Sequence, residues 1–312
     1  MKINYGISGK LKSKSIITIG NFDGVHKGHQ SLLKFCAEFA QKNRMISTVI
    51  TFKPHPKVFF QNKPIGCIQT LRDKVIEIKN AKVKHLIILP FKKELANVSA
   101  NNFVKFLVIN LGMRAIVVGK DFKFGKNREG NIKTLVEMGA QLKFQTHIIN
   151  DVAHSNEKIS SSKIRNLARL DRLERVKEFR GKSITLSGHV LHGKKIGRTL
   201  GYPTINIKMP DDLCINGIFA ATVSGLQNHK NQVYLPAIAS LGRRPTVENY
   251  GKLILEVYIL DWDSMVYGKI VSVQIHEKIR EEIKFESFDK LRTQMKMDEI
   301  KTRKIFKFNE KQ

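Results

Sequence analysis

Ser15-Ile16-Ile17-Thr18-Ile19-Gly20-Asn21-Phe22-Asp23-Gly24-Val25-His26-Lys27-Gly28-His29 is a β-branched run ending on glycine, then a short loop that opens an amphipathic stretch from Gln30 to Gln41. A strand that runs straight into a helix is the start of a βαβ unit. The pattern recurs downstream. Ile46 to Phe52, His85 to Leu89, Ala115 to Val118 and Leu142 to Ile149 read as further strands, and Leu71 to Ala81, Asn101 to Leu111 and Asn131 to Met138 as the helices between them. This alternation predicts a doubly wound parallel sheet, whose ligands lie at the carboxyl ends of its strands. Gly20 to His29 lies at such an end.

Beyond Ile149 the pattern changes. Ser162 to Phe179 has helical spacing and many charges, and after Lys182 come strand-like runs separated by turn residues. Ser183 to Leu191, Ile218 to Val223, Val233 to Ala239, Leu253 to Leu260 and Ile270 to Ile279 predict a small antiparallel β-barrel. Helical spacing returns from Phe285 to Ile305, a terminal helix expected to pack on the barrel. The expected organisation is therefore α/β plus β, with domains over residues 1–182 and 183–312. A chain of 312 residues with 42% hydrophobic content is long enough for two cores.

Composition narrows the class. Met1 to Lys14 is polar and basic with no signal-peptide core, and no run approaches a membrane span, so a soluble, cytoplasmic protein is expected. Cys36, Cys67 and Cys214 are odd in number and widely spaced, which fits reduced structural thiols. The net charge of +28 and pI near 10.0 favour polyanionic partners. The lysines are spread along the whole chain, however, and no zinc finger, aromatic RNP pair or GXXG clamp appears, so nucleic acid is not the expected partner. Nothing in the sequence speaks for a particular oligomeric state.

The loop chemistry is that of an anion site. Gly20, Gly24 and Gly28 allow close backbone approach to a phosphate, and the helix start supplies unpaired N–H groups and a positive dipole. His26 and His29 lie three apart on the first turn. Alone, such a pair reads either as a cap and packing element or as a phosphate clamp, and no carboxylate sits at zinc-site spacing. Its company matters. Thr51-Phe52-Lys53-Pro54-His55-Pro56 forms a rigid turn at the second strand's end, Gly119-Lys120-Asp121-Phe122-Lys123-Phe124-Gly125 follows a later strand, and Ser160-Ser161-Ser162-Lys163-Ile164-Arg165 opens a helix with hydroxyls and cations.

In the second half, Gly188 to Asn206 contains Gly188, His192, Gly193, Gly197 and Arg198 in a loop suited to wrapping phosphate, then Thr204 and Asn206 on one face of a strand. Two such oxygens suit a hard cation such as Mg²⁺; a glycine-rich barrel corner is the competing reading. Leu255-Glu256-Val257 sets one acid in an apolar strand, where it is either an exposed residue or a general base.

Together these segments, in this order, resemble the bacterial bifunctional riboflavin kinase/FAD synthetase family over nearly the whole chain. Val266-Tyr267-Gly268 and Ile279-Arg280-Glu281-Glu282 extend the likeness. The resemblance implies riboflavin phosphorylation to FMN, then adenylylation of FMN to FAD, with ATP as co-substrate and Mg²⁺. It implies that His26 and His29 contact ATP phosphates, that Asn21, Phe22 and Asp23 complete the nucleotide pocket, and that Ser162 and Arg165 bind the β and γ phosphates. His55, Asp121, Phe122, Phe124 and Arg280 would face flavin, Thr204 and Asn206 would hold the metal, and Glu256 would be the kinase base. Three positions depart from the family pattern: Ser240 for Asn, Phe219 for Tyr and Lys53 for Glu.

Overall fold

The computed structural model describes residues 1–307 except Ser8, Lys12, Asn156, 193–200, 227–232, 244–251, Asp263 and Met265. The chain forms two compact units, one of Met1–Ile65 with Lys74–Ser160, the other of Gly66–Asp73 with Ser161–Gln312.

The first unit is built on strands β1 (Lys2–Tyr5), β2 (Ser15–Ile19), β3 (Ile46–Lys53), β4 (His85–Pro90), β5 (Met113–Gly119) and β6 (Gln145–Ile149). All pair in parallel, in the order β1-β4-β3-β2-β5-β6. The alternation expected from the sequence is present, and the edge strand β1 is added: four residues are too few to show a period. Its helices are α1 (Lys27–Lys42), α2 (Pro56–Gln61), α3 (Leu71–Asn80), α4 (Lys93–Ala96), α5 (Ala100–Leu111) and α6 (Ile132–Leu142), with the first turn of α3 counted in the second unit.

All five residues of β2 are buried, because helices cover both faces of the sheet. Ile16 joins Cys36, Ala40, Ala115 and Val117 on the α1 side, while Ile17 and Ile19 join Val104, Leu107 and Leu135 beneath α5 and α6. From β2 the chain runs outward through β3 and β4, then returns to place β5 on the other flank of β2. The switch point between β2 and β5 is where an open α/β sheet leaves a crevice.

In the second unit, the expected helix from Ser162 to Phe179 is two helices, α7 (Ser161–Arg169) and α8 (Leu173–Arg180). The break lies at Asp171, which takes a left-handed backbone (φ 56). Short polar residues bear that conformation better than most, and its carboxylate also accepts from Lys278 Nζ at 3.0 Å. Strands β9 (Ile184–Leu191), β10 (Thr204–Lys208), β11 (Gly217–Ser224), β12 (Leu235–Arg243), β13 (Leu253–Ile259) and β14 (Ile270–Arg280) close an antiparallel barrel. A two-residue hairpin, β7 (Ala153–His154) with β8 (Glu157–Lys158), precedes α7. Helix α9 (Phe288–Phe306) packs against β12 and β14, as the returning helical spacing predicted.

Residues 66–73 are stitched into this unit by polar contacts. Arg180, fully buried, donates to Gln69 Oε1 at 3.1 Å and to the Ser183 carbonyl at 2.7 Å. Asp73, 3% exposed, accepts from Thr70 Oγ1 at 2.6 Å and from the Ser187 N–H at 3.2 Å. Loss of hydration raises its pKa above the ordinary carboxylate value, against the pull of those hydrogen bonds. The folded state thus gains from holding the proton: that contribution is complete at acid pH and is lost as pH rises through the raised pKa. Asp73→Ala strands the donors from Thr70 and Ser187 and should cost about 1–3 kcal/mol in urea unfolding. Asp73→Asn keeps an acceptor without the charge and should flatten the pH dependence; an alanine variant as stable as wild type would contradict this account.

Candidate functional site

The loop after β2 is held in an uncommon backbone conformation. Phe22 (φ 47), Gly24 (φ 78) and Val25 (φ 32) are all left-handed, which for a β-branched residue such as Val25 costs about 1–3 kcal/mol. Packing offsets the cost, since Phe22, Asp23 and Val25 are buried. Thr51 Oγ1 donates to the Asn21 carbonyl at 3.1 Å, and Gln30 Nε2 to the Val25 carbonyl at 2.8 Å. The Asn21 side-chain oxygen is buried with no protein hydrogen-bond partner, as expected of a group reserved for a ligand.

His26 is the N-cap of α1. Its Nδ1 accepts from the His29 N–H at 3.3 Å, so a neutral ring carries its proton on Nε2. The two imidazoles stack at 3.7 Å between centroids, and Phe22 lies 5.1 Å from the His29 ring. Capping and clamping are therefore compatible here: the cap fixes the ring. Gly28 leaves room for the ring, since a Cβ there would press to 3.2 Å of the His26 imidazole.

The flanking loops carry the other expected residues. His55 caps α2 through Nδ1, which accepts from the Lys57 N–H at 3.1 Å. Around it the sequence reading missed an aromatic group: Phe91 lies 5.6, 5.4 and 5.7 Å from Phe52, Phe59 and Phe60, and Phe60 is 67% exposed. Phe91 follows β4, so only strand adjacency brings it there. After β5, Asp121 pairs with Lys158, whose second partner Asp151 lies at 2.9 Å. These contacts raise the lysine's pKa, and the same lysine holds Asp151 below the usual carboxylate range. Phe122 lines a cavity of about 390 Å³ with Lys120, Lys123, Arg128 and Lys133, whereas Phe124 is 8% exposed and packs on Phe103. Ser162, exposed, and Arg165, buried, sit one turn apart on α7 in the second unit.

On the barrel, Asn206 pairs across strands with Glu256, and Thr204 with Tyr258. Alternation puts Thr204, Asn206, Glu256 and Tyr258 on the outer face, with Leu255 and Val257 in the core. Asn206 is 7% exposed. Tyr258 meets Tyr202 edge-on at 5.0 Å, and burial, then the charge of Glu299, pushes its hydroxyl up to about 12. Gly188 lies on β9, where a Cβ would overlap Ile207 of β10. His192 stacks on Tyr267 at 4.1 Å, while Gly193, Gly197 and Arg198 lie outside the described residues. Arg280 is gripped by Asp298, with Nε at 3.0 Å and Nη2 at 2.7 Å, and it donates to the Glu281 carbonyl.

Residues 9–163 match the FAD synthetase family and residues 180–306 the riboflavin kinase family. A Buchnera aphidicola (strain Sg) protein named bifunctional riboflavin kinase/FMN adenylyltransferase is 34% identical, covering 98% of this chain and 99% of its own. The chain belongs to the bifunctional riboflavin kinase/FMN adenylyltransferase family. An Escherichia coli K12 relative of the same name is 33% identical over 93% of this chain and 92% of its own. A solved Streptococcus pneumoniae structure described as a macrolide-efflux protein matches with a TM-score of 0.78 at 28% identity, covering 97% of this chain and 99% of that one. Among the described residues, no helix of this family member is long and apolar enough to cross a membrane.

Because His26 caps α1, its two roles separate by substitution. His26→Ala should lower stability by about 1 kcal/mol, and His26→Asn, a strong N-cap without an imidazole, should restore it. Thermal unfolding of the pair checks this; equal stability of all three proteins would remove the cap from the account.

Proposed function

We propose that the chain makes FMN from riboflavin and ATP, and then FAD from FMN and a second ATP, with adenylylation carried by residues 1–182 and the kinase by 183–312. The observation that carries this is the cross-strand pair Asn206–Glu256 in a chain whose other unit opens its switch point with His26 and His29. The fit to the bifunctional family over both halves supports it.

In the kinase reaction the terminal ribityl hydroxyl attacks the γ-phosphorus of ATP, its proton passes to Glu256, and ADP leaves. Thr204 and Asn206 offer neutral oxygens on one strand face, a donor set that fits Mg²⁺ in company with ATP phosphates. The ion would neutralise phosphate charge. His192, stacked on Tyr267 at the end of β9, borders the ATP side, and Arg280 orders the flavin side.

In adenylylation a phosphate oxygen of FMN attacks the α-phosphorus of ATP and the bond to pyrophosphate breaks. No protein nucleophile is needed. His26 and His29 stabilise charge that grows on the five-coordinate phosphorus, with the helix dipole behind them. Asn21, Phe22, Asp23 and Gly28 complete the nucleotide pocket. His55, Asp121 and Phe122 form the flavin side, with exposed Phe60 offering a stacking face and buried Phe124 backing Phe122 at 5.4 Å. A cytoplasmic location suits these substrates, and the net charge of +28 is spread along the whole chain, not gathered into one nucleic-acid-binding arm.

Riboflavin, ATP and Mg²⁺ should give FMN and then FAD by chromatography, and a preparation that forms neither refutes the proposal. Glu256→Ala should lower kinase turnover by about 10²–10⁴-fold while FMN adenylylation survives, and His29→Ala should do the reverse. Equal loss of both activities in either variant would refute the partition.

A further inference from the structure

The row that pairs Asn206 with Glu256 continues to Ser240, because Ser240 on β12 is the other cross-strand partner of Glu256. Beyond Ser240 the backbone is bare at Gly242, and a Cβ there would overlap the carboxylate of Glu282. Glu282 thus lies over Gly242, two residues along β12 from Ser240, where the Ser240 hydroxyl and the charge of Glu256 both bear on its carboxylate.

Neighbouring contacts fix that placement. Arg280 is clamped by Asp298, and Glu281 accepts from Lys278 Nζ at 2.6 Å. With its two predecessors committed, the chain leaving β14 has little freedom in where it presents residue 282. Shielding by the strand raises the proton affinity of Glu282, and the charge of Glu256 acts in the same direction.

We infer that Glu282 is a positioning residue for the kinase reaction: seated on Gly242 and tethered by Ser240, it repels the Glu256 carboxylate toward Asn206 and the attacking hydroxyl. The inference rests on Glu256 being the base. It also gives Ser240, a departure from the family's Asn, a task that a hydroxyl donor can perform.

Glu282→Gln keeps the shape and the acceptor for Ser240 but removes the charge. Riboflavin phosphorylation should lose about tenfold in kcat, with KM for riboflavin and ATP changed less than about twofold. FMN adenylylation by the same preparation should be unchanged, which also reports a folded chain. Gly242→Ala displaces the carboxylate without altering it and should reproduce the split. In a Glu256→Gln background, read with enzyme in excess over riboflavin, Glu282→Gln should cost nothing more, because the residue it acts through is gone. A Glu282→Gln enzyme within twofold of wild type, a rise in KM in place of the kcat loss, or an equal loss in both backgrounds overturns the inference. Unchanged turnover in Glu256→Gln would sink the assignment of the base itself, whereas an intact Glu282→Gln beside an inactive Glu256→Gln sinks only the positioning role.

Discussion

Strand β2 is buried along its whole length, with apolar side chains committed to helices on both faces, so nothing it carries can meet a ligand until the chain leaves the sheet. The first polar opportunity is therefore Gly20 to His29, and the reversal of strand order between β2 and β5 keeps helices from covering it. The barrel obeys the same rule in another form. Its interior is filled by Leu255, Val257, Ala237 and Ala239, so its chemistry is confined to the outward residues Asn206, Ser240 and Glu256.

The loop after β2 illustrates how a rigid site is maintained. Left-handed Phe22 and Val25 are each unfavourable alone, yet burial of both side chains and hydrogen bonds from Thr51 and Gln30 over-determine the path. A relaxed loop would move the His26 ring, and with it the cap of α1. Stability of the helix and aim of the imidazole are thus one interaction, made through Nδ1.

Much of this was legible in sequence. The strands on either side of the switch point announced themselves by β-branched runs, and alternation put Thr204 and Asn206 on one face of their strand, while the pairing of Asn206 with Glu256 shows only in the observed register. What escaped detection depends on contacts between residues distant in sequence. Phe91 joins Phe52 only because β3 and β4 are adjacent, the role of Asp171 as helix breaker shows only in its φ angle, and Glu282 reaches Gly242 only once β14 is in place. The polar tether of residues 66–73, through Gln69 and Asp73 to partners beyond residue 180, had no local signal at all.

The two halves meet the same difficulty, crowding of negative charge at phosphorus, with different means. In the proposed adenylylation site the charge would be met by dipoles and imidazoles at a helix start, where no proton needs to be removed from FMN. Asp121, in the loop after β5, is itself paired with Lys158. In the second unit the nucleophile is an alcohol, whose proton must go somewhere, and an acid is needed. An acid beside ATP is repelled by the phosphates it serves, which makes its orientation the sensitive quantity. A barrel row that sets Asn206 on one side of Glu256 and Ser240, with Glu282 over Gly242, on the other would constrain that orientation from both directions.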